Sequence, residues 1–92
     1  MNITIHIPTP LRAYTGQQSA VQVPGSTVGE ALEALMSLHT GLRKHLRDDS
    51  GRLRSFVNVY LGDEDIRFLD REDTALSSGD ELTIIPSIAG GL

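Results

Sequence analysis

The stretch that decides the fold is DELTIIPSIAGG, Asp80 to Gly91. Leu82, Ile84 and Ile85 make a nearly continuous apolar run of strand-forming residues, and Pro86 ends it because proline has no N–H to give to a ladder. Such a run predicts a central strand, paired on both sides and covered on one face. After Pro86 come Ser87, Ile88 and Ala89, then Gly90, Gly91 and a single Leu92. Nothing in those last residues predicts order, so the chain divides into a domain over 1–86 and a flexible tail over 87–92.

The partner for that strand lies at the other end. NITIHIP alternates: Ile3, Ile5 and Ile7 face one way, and Asn2, Thr4 and His6 the other, the period of a half-buried strand. Pro8 and Pro10 stop it. AYTGQQ reads as a loop, and SAVQV alternates again through Val21 and Val23, so the first two strands form an antiparallel hairpin. At PGSTVGEALEALMSLHTG the period changes to that of a helix, with Val28, Ala31, Leu32, Leu35 and Leu38 or His39 on one stripe. Thr27 is a good N-cap, Glu30 completes a capping box, and Gly41 is placed to stop the helix in a left-handed conformation. LRKHLRDDSGRLR, with Leu42 and Leu46, reads as a helical turn and an exposed loop. FVNVYL is a strand, GDED a turn and IRFL a short strand.

One amphipathic helix must bury its stripe against one sheet face. The first and last strands are the most aliphatic, so they belong side by side in the centre, parallel, joined by a long crossover. That arrangement is α+β: a ubiquitin-like β-grasp with a mixed sheet of four to five strands.

Size and composition agree with one small domain. The chain has 92 residues, 39% hydrophobic and 22% charged, and no apolar run long enough to cross a membrane. No secretory signal is expected at its start, and it has no cysteine, which excludes disulfides, thiolate metal sites and a cysteine nucleophile. A cytoplasmic setting is expected. A net charge of −4 argues against nucleic acid as the main partner and suits a basic docking surface.

The globular part offers no catalytic constellation. His6, His39 and His45 lack the spacing of a metal site and read as exposed or capping residues. Asp63, Glu64 and Asp65 read as a solvated turn without the calcium-loop pattern. The serines lie in no nucleophile elbow, and the glycines form no phosphate loop. Arg12, Arg54 and Arg67 read first as exposed solvated charges, with rim contacts on a docking face as the alternative. What remains is the tail. Glycine has no Cβ, so Gly90 and Gly91 can thread a narrow channel and carry a terminal carboxylate to a reactive centre in another protein.

Taken together, DELTIIPSIAGG, the helix near residue 30 and the short first strand resemble the ubiquitin-like sulfur carriers, the MoaD/ThiS family. FVNVYLGDEDIRFL and HTGLRKHLRDDSGRLR make the chain most similar to the cysteine-biosynthesis branch of that family. The resemblance implies a carrier rather than an enzyme, with no bound cofactor and no metal. An adenylating, E1-like enzyme would consume ATP to activate the carboxylate of Gly91, and a sulfur source would convert it to a thiocarboxylate. The sulfur would pass to a biosynthetic enzyme such as a pyridoxal-phosphate cysteine synthase or the large subunit of molybdopterin synthase. Thiamin-type use is a further possibility within the family. The chain departs from the pattern at Leu92, which reads as a cap to be removed by a protease, a zinc metalloprotease being implied. Two other readings share the tail: a protein modifier joined to lysines, and an interaction module whose tail is inert.

Overall fold

A computed structural model describes residues 2–86. Five strands form one mixed sheet: β1 (Ile3–His6), β2 (Ala20–Val23), β3 (Val57–Leu61), β4 (Glu64–Asp65) and β5 (Glu81–Pro86), in the order β2-β1-β5-β3-β4. β5 lies in the middle, parallel to β1 through Thr4–Glu81, Ile5–Leu82 and His6–Thr83, and antiparallel to β3 from Val57–Pro86 to Leu61–Leu82. β1 and β2 form the expected antiparallel hairpin. The main helix, α1 (Val28–Leu38), lays Val28, Ala31, Leu32, Leu35 and Met36 into one core with Ile3, Ile5, Val23, Leu82 and Ile84. This is the expected β-grasp, with five strands. The tail over 87–92, including Gly90, Gly91 and Leu92, lies outside the described residues.

Thr27 caps α1 as expected, its hydroxyl accepting the Glu30 N–H at 3.2 Å. The return bond is displaced by one residue: Glu30 Oε1 accepts from the Ser26 hydroxyl at 2.7 Å and the Ser26 N–H at 2.9 Å, which holds the Glu30 carboxyl below its usual pKa. Gly25 just before the cap is required by close approach, since a Cβ there would stand 2.7 Å from the Ala31 nitrogen.

Several expectations are corrected. Leu38 is 61% exposed, and the flank of the stripe is filled by Met36 instead. Gly41 does not stop α1 in a left-handed conformation. His39 is the C-cap, and Gly41 sits inside a 3₁₀ turn, Thr40–Leu42, that runs into a one-turn helix, α2 (Arg43–Leu46). The glycine serves packing: a Cβ would lie 3.2 Å from the Tyr14 ring, which itself stacks on His45 with centroids 4.4 Å apart. His45 is thus neither exposed nor a cap. IRFL is not a strand, because Asp65 caps a 3₁₀ turn over Ile66–Phe68 by accepting the Arg67 N–H. The loop between the first two strands holds a further 3₁₀ helix, Thr9–Tyr14, opened by Pro10.

The expected helical turn after α1 stands as α2, but the burial of this segment was not anticipated. Leu42 and Leu46 are fully buried, and Arg47 is only 8% exposed. Its guanidinium bonds Glu72 at 2.7 and 3.1 Å, Glu33 at 2.9 Å and the Gly51 carbonyl at 3.0 Å. One cation therefore ties α1, the residue 47–54 loop and the 3₁₀ turn at Arg71–Asp73 together. Bonding to Arg43 first, and then to Arg47, lowers the Glu33 pKa from its ordinary 4.5. Arg47→Ala should cost about 2 kcal/mol, less than breaking a fully buried pair because its carboxylate partners are partly solvated. A lowered carboxylate pKa stabilises the fold above the ordinary value, and the contribution is lost as pH falls through the lowered one. Urea denaturation should therefore show the gap between wild type and Arg47→Ala narrowing below pH 4.5. An equal gap at neutral and acid pH would contradict this arrangement.

Candidate functional site

The tail follows Pro86, the half-buried last residue of a central strand, which pairs with Val57 of β3. β5 alternates about that position. Leu82 and Ile84 point into the core, while Glu81, Thr83 and Ile85 point to the face that α1 does not cover. Register places Thr4, His6, Asn58 and Tyr60 beside them on that open face. The face is polar except for Tyr60 and for Ile85, which is 44% exposed near the tail. Burial on only one side explains why a run of three aliphatic residues stops short of double coverage.

At the end of β5 a groove of about 480 Å³ opens between Ile85 and Pro86 on one side and Pro8 and Arg12 on the other. Arg12 is fixed there by its Nε, which donates to the Ile7 carbonyl at 3.0 Å. His6, at the base of the groove, meets Glu81 across the β1–β5 pair at 2.6 Å. The tail thus leaves a surface with one held guanidinium, one exposed isoleucine and no Pro86 N–H to retain it in a ladder.

Of the three candidate rim arginines, only Arg12 borders this exit. Arg54 and Arg67 line a different cavity at the outer edge of β3. Arg54 Nε donates to the Lys44 carbonyl at 2.9 Å, and Arg67 bonds Asp65 at 2.7 Å. That guanidinium, followed by the Arg67 N–H, holds Asp65 below its ordinary pKa of 3.8. The acidic turn is therefore split: Asp65 is committed to Arg67, while Asp63 and Glu64 remain exposed. No three His, Asp or Glu side chains converge on a metal-sized site among the described residues. No helix among them is long and apolar enough to cross a membrane. Gly90, Gly91 and Leu92, the predicted working residues, lie outside the described residues.

Comparison with known proteins decides the family. The model of the ThiS family matches residues 5–91, nearly the whole chain and through Gly91. The chain belongs to the ThiS family. It is 44% identical to the sulfur carrier protein CysO of Mycobacterium tuberculosis over 93 residues, covering 99% of this chain and 100% of that protein. The crystal structure of the Amycolatopsis orientalis BexX/CysO complex contains a chain that superposes with a TM-score of 0.87 at 40% identity, over 97% of this chain and 99% of that one. The small archaeal modifier protein 1 of Haloferax volcanii superposes with a TM-score of 0.83 at 28% identity, over 94% and 97%. As in the ThiS family reading of the sequence, the fold and the resemblance to the cysteine branch stand.

The alternation along β5 can be tested directly. Ile84→Ala should destabilise the domain by about 3 kcal/mol through lost burial and a residual cavity. Ile85→Ala should change stability by less than about 1 kcal/mol, as expected of a half-exposed position. Thermal or urea unfolding of the two variants measures the difference, and equal losses would mean that β5 is misphased.

Proposed function

We propose that the chain is a sulfur carrier of the cysteine-biosynthesis type and that Gly91 is the residue that carries the sulfur. The observation that supports this most strongly is the position of the diglycine. It follows a central strand of a β-grasp domain after three small or aliphatic residues, and the family match extends to Gly91. The chain acts as a substrate of its partners rather than as an enzyme. The globular part presents it, and the chemistry is theirs.

The chemistry requires a free carboxyl on Gly91. Hydrolysis of the Gly91–Leu92 peptide bond, by a metalloprotease or another peptidase, releases leucine and exposes it. An adenylating enzyme then lets that carboxylate attack the α-phosphate of ATP, forming an acyl-adenylate and pyrophosphate. A sulfur nucleophile displaces AMP and leaves the thiocarboxylate, which a pyridoxal-phosphate cysteine synthase consumes. Delivery to a molybdopterin synthase or to thiamin synthesis uses the same first steps. All this belongs to the cytoplasm, where ATP and the acceptor enzymes are. An isobutyl side chain at the terminus is excluded for the reason that favours glycine: a channel that admits bare backbone has no room for a Cβ and its substituents.

The similarity to an archaeal modifier protein supports a second reading, attachment of Gly91 to lysines of other proteins. The chain's single lysine, Lys44, limits chains built on itself. Lysine conjugates in cells would favour this reading over the carrier.

The test compares three proteins with an activating enzyme and ATP, reading pyrophosphate release: the full chain, the chain ending at Gly91, and that shorter chain with Gly91→Ala. The chain ending at Gly91 should be activated, the full chain should not, and Gly91→Ala should fall by roughly tenfold or more. Normal activation of Gly91→Ala would sink the assignment.

A further inference from the structure

Seven of the chain's eight basic residues fall between Arg43 and Arg71, although the chain carries a net charge of −4. Four of them, Arg52, Arg54, Arg67 and Arg71, line one cavity of about 410 Å³. The cavity runs along the outer edge of β3. There β4 pairs only with Tyr60 and Leu61, so Val57, Asn58 and Val59 have β5 on one side and no strand on the other among the described residues.

Two carboxylates share the wall, and both are already engaged. Asp65 holds Arg67, and Glu72 holds Arg47 from outside the cavity. Arg54 spends only its Nε, on the Lys44 carbonyl. Arg52 and Arg71 make no side-chain hydrogen bond among the described residues. The nearby Asp48 carboxylate accepts backbone N–H groups, from Ser50 and Arg52. Arg52 and Arg71 therefore keep donors that no side chain among the described residues takes up, while the charges of Arg52 and Arg54 also act on Asp48. Arg71 lines the same cavity from an unusual backbone conformation. Its φ is 56°, a left-handed conformation that suits glycine or asparagine, yet a long cation stands there. Phe56 and Phe68, next in sequence to lining residues, are 46% and 83% exposed.

We propose that this cavity docks an extended acidic segment of a partner protein. The segment lies along the edge of β3 as an added strand. Its carboxylates meet Arg52, Arg54 and Arg71, and its apolar side chains meet Phe56 and Phe68. Val57 already gives its N–H to the Arg54 carbonyl at 2.9 Å, so Val59 is where the edge offers backbone groups that a peptide can use and a phosphate cannot. Leu53, Val57, Val59 and Ile66 give the walls an apolar share that suits alternating side chains. The acidic remainder of the molecule repels a polynucleotide. The cavity shares no lining residue with the groove at Pro86, so a partner can be held here while the chain's end is engaged elsewhere. The proposal does not depend on the carrier reading.

The experiment uses the full ¹⁵N-labelled chain and a short synthetic peptide that alternates Glu or Asp with Ile. The probes for comparison are the same peptide with Gln and Asn, inorganic pyrophosphate and a short oligothymidine. The acidic peptide should shift amide signals over 52–59 and 65–72 and leave those of 4–6 and 81–86 in place. The neutral peptide, and the double variant Arg52→Ser with Arg71→Ser, should each weaken binding by roughly tenfold or more. The amide spectrum of the variant shows that it is folded. No shift with the acidic peptide, or shifts confined to the open sheet face, would overturn the proposal. So would pyrophosphate or oligothymidine binding the cavity as tightly as the peptide, or wild-type binding by the folded double variant.

Discussion

The parallel pairing of β1 with β5 is the constraint on which the rest of the molecule depends. It joins residues nearly eighty positions apart and makes the last strand a central one. A parallel pair cannot be closed by a tight turn, so everything between must serve as the crossover and cover one face. α1 does the covering, and β3 seals the other side of β5. The consequence for function is positional. The tail follows a strand that β1 and β3 both pair with, and β3 holds its last residue, Pro86, opposite Val57.

The same pairing sorts the surface into regions with different chemistry. The open face carries polar residues with Ile85 and the His6–Glu81 contact, and it leads to the tail exit beside Arg12. The β3 edge carries the arginines. Between them the buried Arg47 spends its charge inside the molecule, linking Glu33 and Glu72. A net charge of −4 describes none of these places, because several acids are already committed to particular arginines, Asp65 to Arg67 and Glu72 to Arg47. Charge complementarity with partners is therefore local, and each surface can meet a partner of a different sign.

The central strands and the helix were legible because their signals are local and strong. Ile3, Ile5 and Ile7 alternate over enough residues to set a phase, Thr27 is a cap by chemistry, and the run ending at Pro86 has few other uses. Residues 40–55 were legible only as a helical turn, and their burial was not. Two leucines four apart on a one-turn helix carry no measurable periodicity, and Arg47 looks like any surface cation until Glu33 and Glu72 converge on it from distant segments. Gly41 was misread because a glycine after a helix has two physical uses, a left-handed cap or a close approach, and only the Tyr14 ring distinguishes them. IRFL has strand-forming residues, but the Asp65 side chain accepts the Arg67 N–H, two residues on, and turns the chain instead. The place of Gly90 and Gly91 after a central strand was readable in the sequence, and the two glycines lie outside the described residues.

The most direct measurement is the intact mass of the protein isolated from its own cells. The account predicts a chain that ends at Gly91, a fraction of it carrying sulfur in place of one carboxyl oxygen. A population that keeps Leu92 throughout, with an ordinary carboxylate on every molecule, would contradict it.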